Sequence, residues 1–281
     1  MYKVYENKQI SPDSYLMEIE APLSVKKALP GQFVIVMAKE DSERIPLTIY
    51  DYNSKDGILK VIYQVIGAST EELTYVKKEL FSVAGPLGNA NEICANPDKF
   101  MNKRICYVAG GVGIAPVYPQ VKFLHRRGLK IDVIYGSRQA NMLLIRDKIE
   151  RVCNKIYYAT DDGSFGTHGF VTDILEKNIH HYDIVVAIGP IPMMKAVAEV
   201  TKKYNKKCIV SMNPLMVDGS GMCGACRCEI EGKPKFACVD GPEFDGHKVN
   251  FDLAMKRMKI YKEEEAIKWE EMKKRLAKEK K

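Results

Sequence analysis

The fold of the second half of the chain is indicated most clearly by the sequence Tyr107-Val-Ala-Gly110-Gly111-Val-Gly113-Ile-Ala-Pro116. Its first residues are apolar and suit a buried strand, its glycines suit a turn, and its proline suits the first turn of a helix. Glycines at such a place let a pyrophosphate approach the backbone at the positive end of the helix. Because the full G-x-G-x-x-G pattern is absent, the stretch alone is only a weak indication of a nucleotide site.

Strands and helices alternate on both sides of this stretch, over residues 98–213. The predicted strands are Arg104–Val108, Lys130–Tyr135, Lys155–Ala159, Tyr182–Ile188 and Lys207–Ser211. The predicted helices are Ala115–His125, Met142–Arg151, Gly169–Glu176 and Met193–Lys203. This alternation predicts a doubly wound domain with a parallel sheet.

Glycine turns follow three of these strands at the edge where a nucleotide would bind. Gly136-Ser137-Arg138 ends the second strand, where a ribose or its 2′-phosphate is recognised, and Gly189-Pro190 ends the fourth. A single turn of this kind is common in any fold, but three at neighbouring strand ends favour a nucleotide crevice. The predicted nicotinamide-site residues are Gly110, Gly111, Gly113, Ala115, Pro116, Gly136, Ser137, Arg138, Asp161, Gly189, Pro190, Met193 and Met194.

Residues 1–97 have a different pattern, with short β-rich segments between turns. These segments are Ser14–Ile19, Gln32–Met37, Leu47–Tyr50, Leu59–Val65 and Leu80–Ala84. The turns contain Pro22, Pro30-Gly31, Asp56-Gly57 and Gly85-Pro86. Short strands at this spacing predict an antiparallel barrel.

The predicted barrel carries three features that suit a flavin. Arg44-Ile-Pro-Leu-Thr48 offers a guanidinium for a pyrophosphate and a hydroxyl for the isoalloxazine N5. Gly67-Ala-Ser69-Thr70 opens a helix and offers an anion site, although these residues could simply cap that helix, and Arg44 could be an ordinary surface residue. The predicted FAD contacts are Arg44, Pro46, Leu47, Thr48, Gly67, Ser69, Thr70, Gly85 and Pro86, with Thr48 as the catalytic residue.

A cysteine-rich segment, residues 214–251, follows the α/β domain. Asp218 stands five residues before Cys223, which forms a C-x₂-C pair with Cys226, and Cys238 comes later. This is the plant-type spacing of a 2Fe–2S cluster with a carboxylate at the first ligand position. We therefore predict Asp218, Cys223, Cys226 and Cys238 as cluster ligands, and Cys228 as a neighbour that does not bind iron. A zinc site completed by His247 is the alternative.

The net charge of +7 is concentrated at the C-terminus. Residues 256–281 carry eleven Lys and Arg against six Asp and Glu, which leaves about +2 for the rest and argues against a nucleic-acid-binding body. The N-terminus has no apolar run typical of a signal peptide, and no segment has eighteen consecutive apolar residues. We therefore expect a cytoplasmic protein that does not bind nucleic acid or span a membrane.

Residues 252–281 are predicted to form one helix about 40 Å long. The supporting pairs are Glu264–Lys268, Glu270–Lys274 and Glu271–Arg275, each in the favourable i,i+4 order. An apolar stripe of Trp269, Met272 and Leu276 lies on one side. We expect this stripe to pack on a partner subunit. The alternative is that the helix folds back on its own domain.

Taken in order, these motifs resemble those of a known family. Arg44-x-Pro-Leu-Thr48, Gly67-x-Ser-Thr, Gly110-Gly-x-Gly-x-Ala-Pro, Gly189-Pro-x-x-Met-Met and the cluster segment together resemble ferredoxin-reductase-like subunits. These subunits pair an FAD barrel with a nicotinamide domain and a C-terminal 2Fe–2S module. The run from Asn213 through Asp218 to Cys226 is most similar to the small subunits of NADH-dependent reduced ferredoxin:NADP⁺ oxidoreductases, also called sulfide dehydrogenase subunits.

The resemblance implies FAD, NAD(H) and a 2Fe–2S cluster as cofactors. It further implies a heterodimer with a larger subunit that carries a second FAD and two 4Fe–4S clusters and connects the chain indirectly to ferredoxin and NADP⁺. Two other functions remain open. One is an electron-transfer subunit of a dihydroorotate or sulfide dehydrogenase complex, and the other is a zinc-stabilised interaction module.

Overall fold

The first sheet is antiparallel and contains the first seven strands. The computed structural model describes residues 1–279, with side chains described as far as residue 274. The strands are β1 (Tyr2–Ser11), β2 (Ser14–Glu20), β3 (Phe33–Met37), β4 (Ile45–Asn53), β5 (Ile58–Gln64), β6 (Glu79–Leu80) and β7 (Ser82–Leu87). Their order in the sheet is β6-β1-β2-β5-β4-β3-β7. Because β6 and β7 lie at opposite ends of this order but are separated in the chain by Phe81 alone, the sheet curls into a nearly closed barrel. The predicted barrel is confirmed.

Three short helices accompany the barrel, and apolar side chains fill it. The helices are α1 (Pro22–Lys27), α2 (Ala68–Thr74) and α3 (Glu92–Ala95), and a 3₁₀ turn follows at Pro97–Phe100. Side chains that alternate along the strands, such as Met17 and Ile19 on β2 and Val34 and Val36 on β3, are buried inside. Strand β1 was not predicted, because its charged and polar residues hide the apolar alternation.

The second sheet is parallel over most of its width. Its strands are β8 (Ile105–Gly110), β9 (Ile131–Ser137), β10 (Lys155–Thr160), β11 (Thr167–His168), β12 (Ile184–Ile188) and β13 (Lys207–Ser211). The order is β11-β10-β9-β8-β12-β13, followed by one antiparallel strand, β16 (Glu243–Asp245), from the cysteine-rich segment. The chain leaves β8 toward β9 and later returns to the other side of β8, so β8 and β12 flank the switch point of a doubly wound sheet. The predicted α/β fold is confirmed.

Helices cover the parallel sheet. They are α4 (Ile114–Arg126), α5 (Arg146–Glu150), α6 (Val171–Asn178) and α7 (Ile191–Lys203), with 3₁₀ turns at Gly111–Gly113, Ala140–Met142 and Ile179–His181. The prediction of one helix over Met142–Arg151 is wrong. Ile145 has a left-handed backbone (φ 47°), and Leu143 and Leu144 are buried, so the segment turns before α5 begins.

The cysteine-rich segment forms a small hairpin, β14 (Arg227–Ile230) and β15 (Lys233–Phe236). Two helices follow it, α8 (Phe251–Arg257) and α9 (Lys262–Glu279). The prediction of a single C-terminal helix is therefore wrong. Arg257 of α8 donates to the carbonyl oxygen of Ala225 at 3.2 Å, whereas α9 lies against α2 of the barrel, and one straight helix cannot make both contacts.

The predicted pairs on α9 also differ from those found. Lys268 forms an ion pair with Glu43 of the barrel in place of Glu264, and Glu270 pairs with Lys273, 2.9 Å away, in place of Lys274. Trp269 and Met272 are half-buried, in line with the alternative in which the helix folds back on its own domain. Arg275 and Leu276 lie outside the described side chains. Within residues 1–279, no helix is both long and apolar enough to cross a membrane.

Candidate redox site

Predicted nicotinamide-site residues converge at the switch point of the parallel sheet. Gly110 ends β8, Gly189 follows β12, and Pro190 and Met193 begin α7. A Cβ on Gly110 would lie 2.5 Å from the Sδ of Met193 and 2.9 Å from the Cδ of Pro190. A Cβ on Gly189 would lie 3.0 Å from the backbone nitrogen of Gly110. A side chain is therefore excluded at both glycines, because Met193, Pro190 and the Gly110 backbone already fill the space, and the end of β8 and the start of α7 pack directly on each other.

Gly113 makes the closest backbone approach in this region. A Cβ there would lie 2.2 Å from the carbonyl oxygen of Ile188, so the turn before α4 packs directly on the end of β12. Gly111, in the same turn, has a φ of 55° and open space around its Cα, while Ala115 is buried and Pro116 is half-buried in the first turn of α4. The turn thus presents backbone, with little side chain, to the crevice.

The other predicted nicotinamide residues divide between the crevice edge and the core. Arg138 and Asp161 are exposed at the ends of β9 and β10, and Asp161 donates its N–H to the carbonyl oxygen of Ser137 at 3.1 Å. Ser137 itself is buried, and its hydroxyl donates to the carbonyl oxygen of Gln139 at 2.7 Å. Met194 is fully buried in the core. A Cβ on the buried residue Gly136 would lie 2.4 Å from the Cγ1 of Val171.

The predicted flavin residues lie on both sides of strand β3. On one side, β4 pairs Pro46 with Ile35 and Thr48 with Phe33. On the other side, β7 carries Gly85 and Pro86, whose peptide bond is cis. Pro46 and Thr48 are half-buried on one face of β4, while Leu47 points into the barrel core, so only its backbone is open to a ligand. Arg44 is exposed just before β4.

The start of α2 forms hydrogen bonds within itself and to the loop before β4. The Thr70 hydroxyl accepts from the backbone N–H groups of Ile66 at 2.9 Å and Gly67 at 3.2 Å. The Ser69 hydroxyl donates to the carboxylate of Glu43, which also pairs with Lys268 of α9. Hydrogen bonding from Lys268 lowers the pKa of Glu43. Sequence patterns did not point to this carboxylate, because its partners Ser69 and Lys268 lie 26 and 225 residues away.

Direct contacts join the barrel to the α/β domain next to these residues. The rings of Tyr50 on β4 and Tyr118 on α4 lie 5.2 Å apart, and Lys122 on α4 bonds Asp51 at 2.8 Å. Since Thr48 is on β4 and α4 begins at the glycine turn, the proposed flavin and nicotinamide residues lie on neighbouring elements.

The predicted cluster ligands form two pairs in the structure. The Sγ atoms of Cys226 and Cys238 lie 3.1 Å apart as free thiols. The carboxylate of Asp218 accepts the N–H of Cys223 at 3.0 Å, and its pKa is lowered by the backbone N–H of Ser220 and by hydrogen bonds from Cys223. No three His, Cys, Asp or Glu side chains of the described residues converge on a single metal position. The structure thus brings the thiols of Cys226 and Cys238 together and holds the Asp218 carboxylate at the backbone of Cys223, and these four residues would be the ligands of a 2Fe–2S cluster.

The side chains of Cys238, Cys228 and His247 are consistent with the predicted set of cluster ligands. Burial, together with the adjacent Cys226, raises the pKa of Cys238, so binding of iron would release a proton from it. Cys228 is buried on β14. The ring of His247, needed for the alternative zinc site, lies 3.0 Å from the hydroxyl of Thr201 on α7. The alternative Cys₃His set is therefore not assembled.

The cluster loop packs on the strands that carry the proposed flavin residues. Gly219 has a φ of 77° and lies against strands β3 and β7 of the barrel. A Cβ on Gly219 would lie 2.6 Å from the Cδ1 of Leu87 and 2.9 Å from the Cδ1 of Ile35. Ile35 pairs with Pro46 across β3 and β4. A continuous set of contacts thus runs from the glycine crevice through the barrel to the cluster loop.

Comparison with known proteins agrees with this arrangement. Residues 107–199 match the oxidoreductase NAD-binding domain, and residues 213–250 match the iron–sulfur cluster binding domain of dihydroorotate dehydrogenase B. A relative from Thermotoga maritima, named as a homolog of the electron transfer subunit of dihydroorotate dehydrogenase B (NAD⁺), is 40% identical over 273 residues, covering 95% of this chain and 94% of its own.

Solved structures extend the comparison to the whole chain. One chain of an NADH-dependent reduced ferredoxin–NADP oxidoreductase, described in connection with flavin-based electron bifurcation, superposes with a TM-score of 0.89 at 38% identity. The match covers 96% of this chain and 97% of that one. The cytochrome b5 reductase domain of Ulva prolifera nitrate reductase shares the fold at 20% identity, with a TM-score of 0.60 over 73% of this chain and 92% of its own.

These similarities support FAD, a 2Fe–2S cluster and NAD(H) as the cofactors, and an oxidoreductase that works as one subunit of a larger assembly. The chain therefore belongs to the family of dihydroorotate dehydrogenase B-type electron-transfer subunits, which join a ferredoxin-reductase-like body to an iron–sulfur domain.

Proposed function

We propose that the chain oxidises or reduces NAD(H) at its flavin and relays single electrons through its cluster to a larger, bifurcating subunit in chemistry that involves NADH, reduced ferredoxin and NADP⁺. The observation that carries this proposal is the match with the oxidoreductase chain, which runs from end to end of both chains at 38% identity. The contacts from crevice to barrel to cluster loop support the same order of sites along the electron path.

The proposed residue roles follow from the placement of each side chain. FAD, when bound, accepts a hydride from NADH and releases its electrons one at a time. Gly110, Gly113 and Gly189 would let β8, β12 and the start of α4 pack closely, and the turn at Gly111, which has open space, would admit the dinucleotide pyrophosphate. The half-buried hydroxyl of Thr48 would donate to the isoalloxazine N5, and the exposed guanidinium of Arg44 would pair with the flavin pyrophosphate.

The cysteine-rich segment would hold the cluster through its two ligand pairs. Asp218 and Cys223 would bind one iron, and Cys226 and Cys238 the other. A carboxylate is a harder and less covalent ligand than a thiolate, so we expect it to change the reduction potential of the cluster.

An exposed apolar surface around the cluster loop supports a protein partner at this site. Leu215, Val217 and Val239 are between 43 and 49% exposed, and Met222 is 89% exposed. Cys223 is exposed among them. Apolar side chains grouped at an electron-transfer site favour docking of another subunit.

The partner identified by co-purification tests this function. The native complex should contain a larger chain with additional flavin and 4Fe–4S clusters, and it should couple NADH and NADP⁺ to ferredoxin. Recovery of a complex that instead reduces orotate with NADH would contradict the proposal.

That result would establish the second candidate, an electron-transfer subunit for dihydroorotate dehydrogenase. The name of the Thermotoga maritima relative and the match over residues 213–250 favour it.

A further inference from the structure

A carboxyl group lies where the barrel, the α/β domain and the cysteine-rich segment meet. Glu243 on β16 accepts a hydrogen bond from the Nδ2 of Asn91 at 2.6 Å and another from the Nε2 of Gln120 at 3.1 Å. Asn91 caps α3 beside the barrel, and Gln120 lies on α4. One carboxyl group therefore connects all three parts of the molecule.

The carboxyl tip is enclosed, although the residue as a whole is only partly covered. Both partners, Asn91 and Gln120, are 0% exposed. Within the described residues, the Oε1 of Gln120 and the hydroxyl of the fully buried Tyr107 have no hydrogen-bond partner. A protonated Glu243 would supply a donor to a junction that has these unpartnered oxygens.

The charged groups around the junction do not stabilise an ionised carboxylate. The titratable groups facing it are Glu92 and Cys94 on α3 and Tyr107 on β8. Lys207 on β13 bonds Glu92 at 2.9 Å. Burial raises the pKa of Glu243 to about 7, with the two amide donors opposing the shift. The group therefore changes charge near neutral pH.

The segment that carries Glu243 also carries a cluster ligand. The carbonyl oxygen of Pro242 accepts from the N–H of Met212 at 2.8 Å, and that of Gly241 accepts from the N–H of Asn89 at 2.7 Å. The Nδ2 of Asn89 further donates to the carbonyl oxygen of Val239, the residue after Cys238, at 3.1 Å. The segment from Cys238 to Glu243 is thus tied through Asn89 to the barrel and through Met212 to the end of β13.

We propose that Glu243 is a positioning residue whose protonation state sets how closely the cysteine-rich segment is held to the barrel, so that electron transfer from flavin to cluster depends on pH. This inference rests on the proposed electron relay. The neutral acid packs well in the enclosed junction, whereas the ionised form brings a charge into it and loosens the contact. Electron transfer to the cluster therefore slows as the pH rises through neutrality.

The test uses the holoprotein, reduced anaerobically with NADH in a stopped-flow instrument between pH 6 and 8.5. We expect the rate of cluster reduction in the wild type to fall by about threefold or more across one ionisation. Glu243→Gln, neutral at every pH, should keep the fast rate throughout. Glu231→Gln removes an exposed carboxylate from the same segment, paired with Lys248 at 3.0 Å, and should keep the wild-type profile.

A second variant separates an effect of the ionisation of Glu243 from a purely structural effect of substitution. Gln120→Leu removes one donor to the carboxylate, so it should raise the pKa of Glu243 and move the midpoint of the profile to higher pH. A flat wild-type profile, or the same profile in wild type and Glu243→Gln, overturns the proposal.

Thermal unfolding of the same proteins between pH 5 and 8 measures the ionisation without electron transfer. Wild type should lose stability with rising pH more steeply than Glu243→Gln, and equal slopes overturn the proposal. Failure of the relay itself would appear differently, as absence of cluster reduction in every variant.

Discussion

Gly113→Ala tests the backbone contact that closes the nicotinamide crevice. The new Cβ would lie 2.2 Å from the carbonyl oxygen of Ile188 and 3.0 Å from the Cα of Gly189, and both contacts are with backbone that cannot rotate away. The glycine turn and the end of β12 must therefore separate by roughly 1 Å. We expect a loss of about 1–3 kcal/mol in the free energy of unfolding, as for other overpacked sites.

The same displacement widens the crevice on both sides of the switch point. We expect the Kd for NADH to rise by about tenfold, equivalent to about 1.4 kcal/mol. Flavin bleaching at increasing NADH measures this affinity, and chemical denaturation measures stability. The matched control is Gly128→Ala at the end of α4, where φ is 85° and the added Cβ meets nothing within 4 Å.

Gly128→Ala costs about 1–2 kcal/mol for the left-handed backbone alone and should bind NADH normally. If Gly113→Ala also binds NADH with wild-type affinity, the proposed crevice is not where the dinucleotide lies.

Three further predictions address the cluster, the flavin and the junction. Cys226→Ala should abolish the 2Fe–2S visible spectrum, whereas Asp218→Cys should keep it with shifted bands; a wild-type spectrum in Cys226→Ala would refute the ligand set. Thr48→Val should bind FAD at full stoichiometry but slow flavin reduction by NADH, and an unchanged rate would remove Thr48 from the catalytic role. Because the pKa of Glu243 is raised from 4.5 to about 7 in the folded chain, its stabilising contribution is complete below pH 4.5 and is lost as the pH rises through 7. The loss in the free energy of unfolding amounts to at most about 3 kcal/mol. Denaturant unfolding of wild type and Glu243→Gln at pH 5 and pH 8 measures it as the difference between the two proteins. The same pH dependence in both would contradict the prediction.

The fold could be predicted where local sequence and burial agree. Strand β12, Ile-Val-Val-Ala-Ile, is buried on both faces and therefore appears in the sequence as a continuous apolar run. Glycine at positions 110 and 189 predicts turns in the sequence. The structure requires glycine at both positions because no side chain fits there.

Other features depend on partners that are distant in the sequence. Strand β1 contains Lys3, Glu6 and Lys8, so it lacks a clear apolar pattern, and its position is set by pairing with β2 and β6. The break between α8 and α9 has no glycine or proline to mark it and results from two separate tertiary contacts.

Some contacts of the candidate site could likewise be predicted from the sequence, and others could not. The Cys226–Cys238 contact follows from a known spacing, and so could be predicted. The contacts of Glu43 and Glu243 could not be predicted, because each meets hydrogen-bonding partners from distant segments. A lone glutamate in sequence carries no indication of such partners.

In the proposed relay, electrons from NADH reach the cluster through a flavin in this chain. The most direct measurement is an anaerobic NADH titration of the purified holoprotein, followed by visible absorption and by electron paramagnetic resonance, with iron, zinc and FAD quantified in the same sample. We predict one FAD and two irons per chain, bleaching of the flavin, and the paramagnetic signal of a reduced 2Fe–2S cluster. Stoichiometric zinc, or a flavin that bleaches while the cluster stays oxidised, would contradict this electron relay.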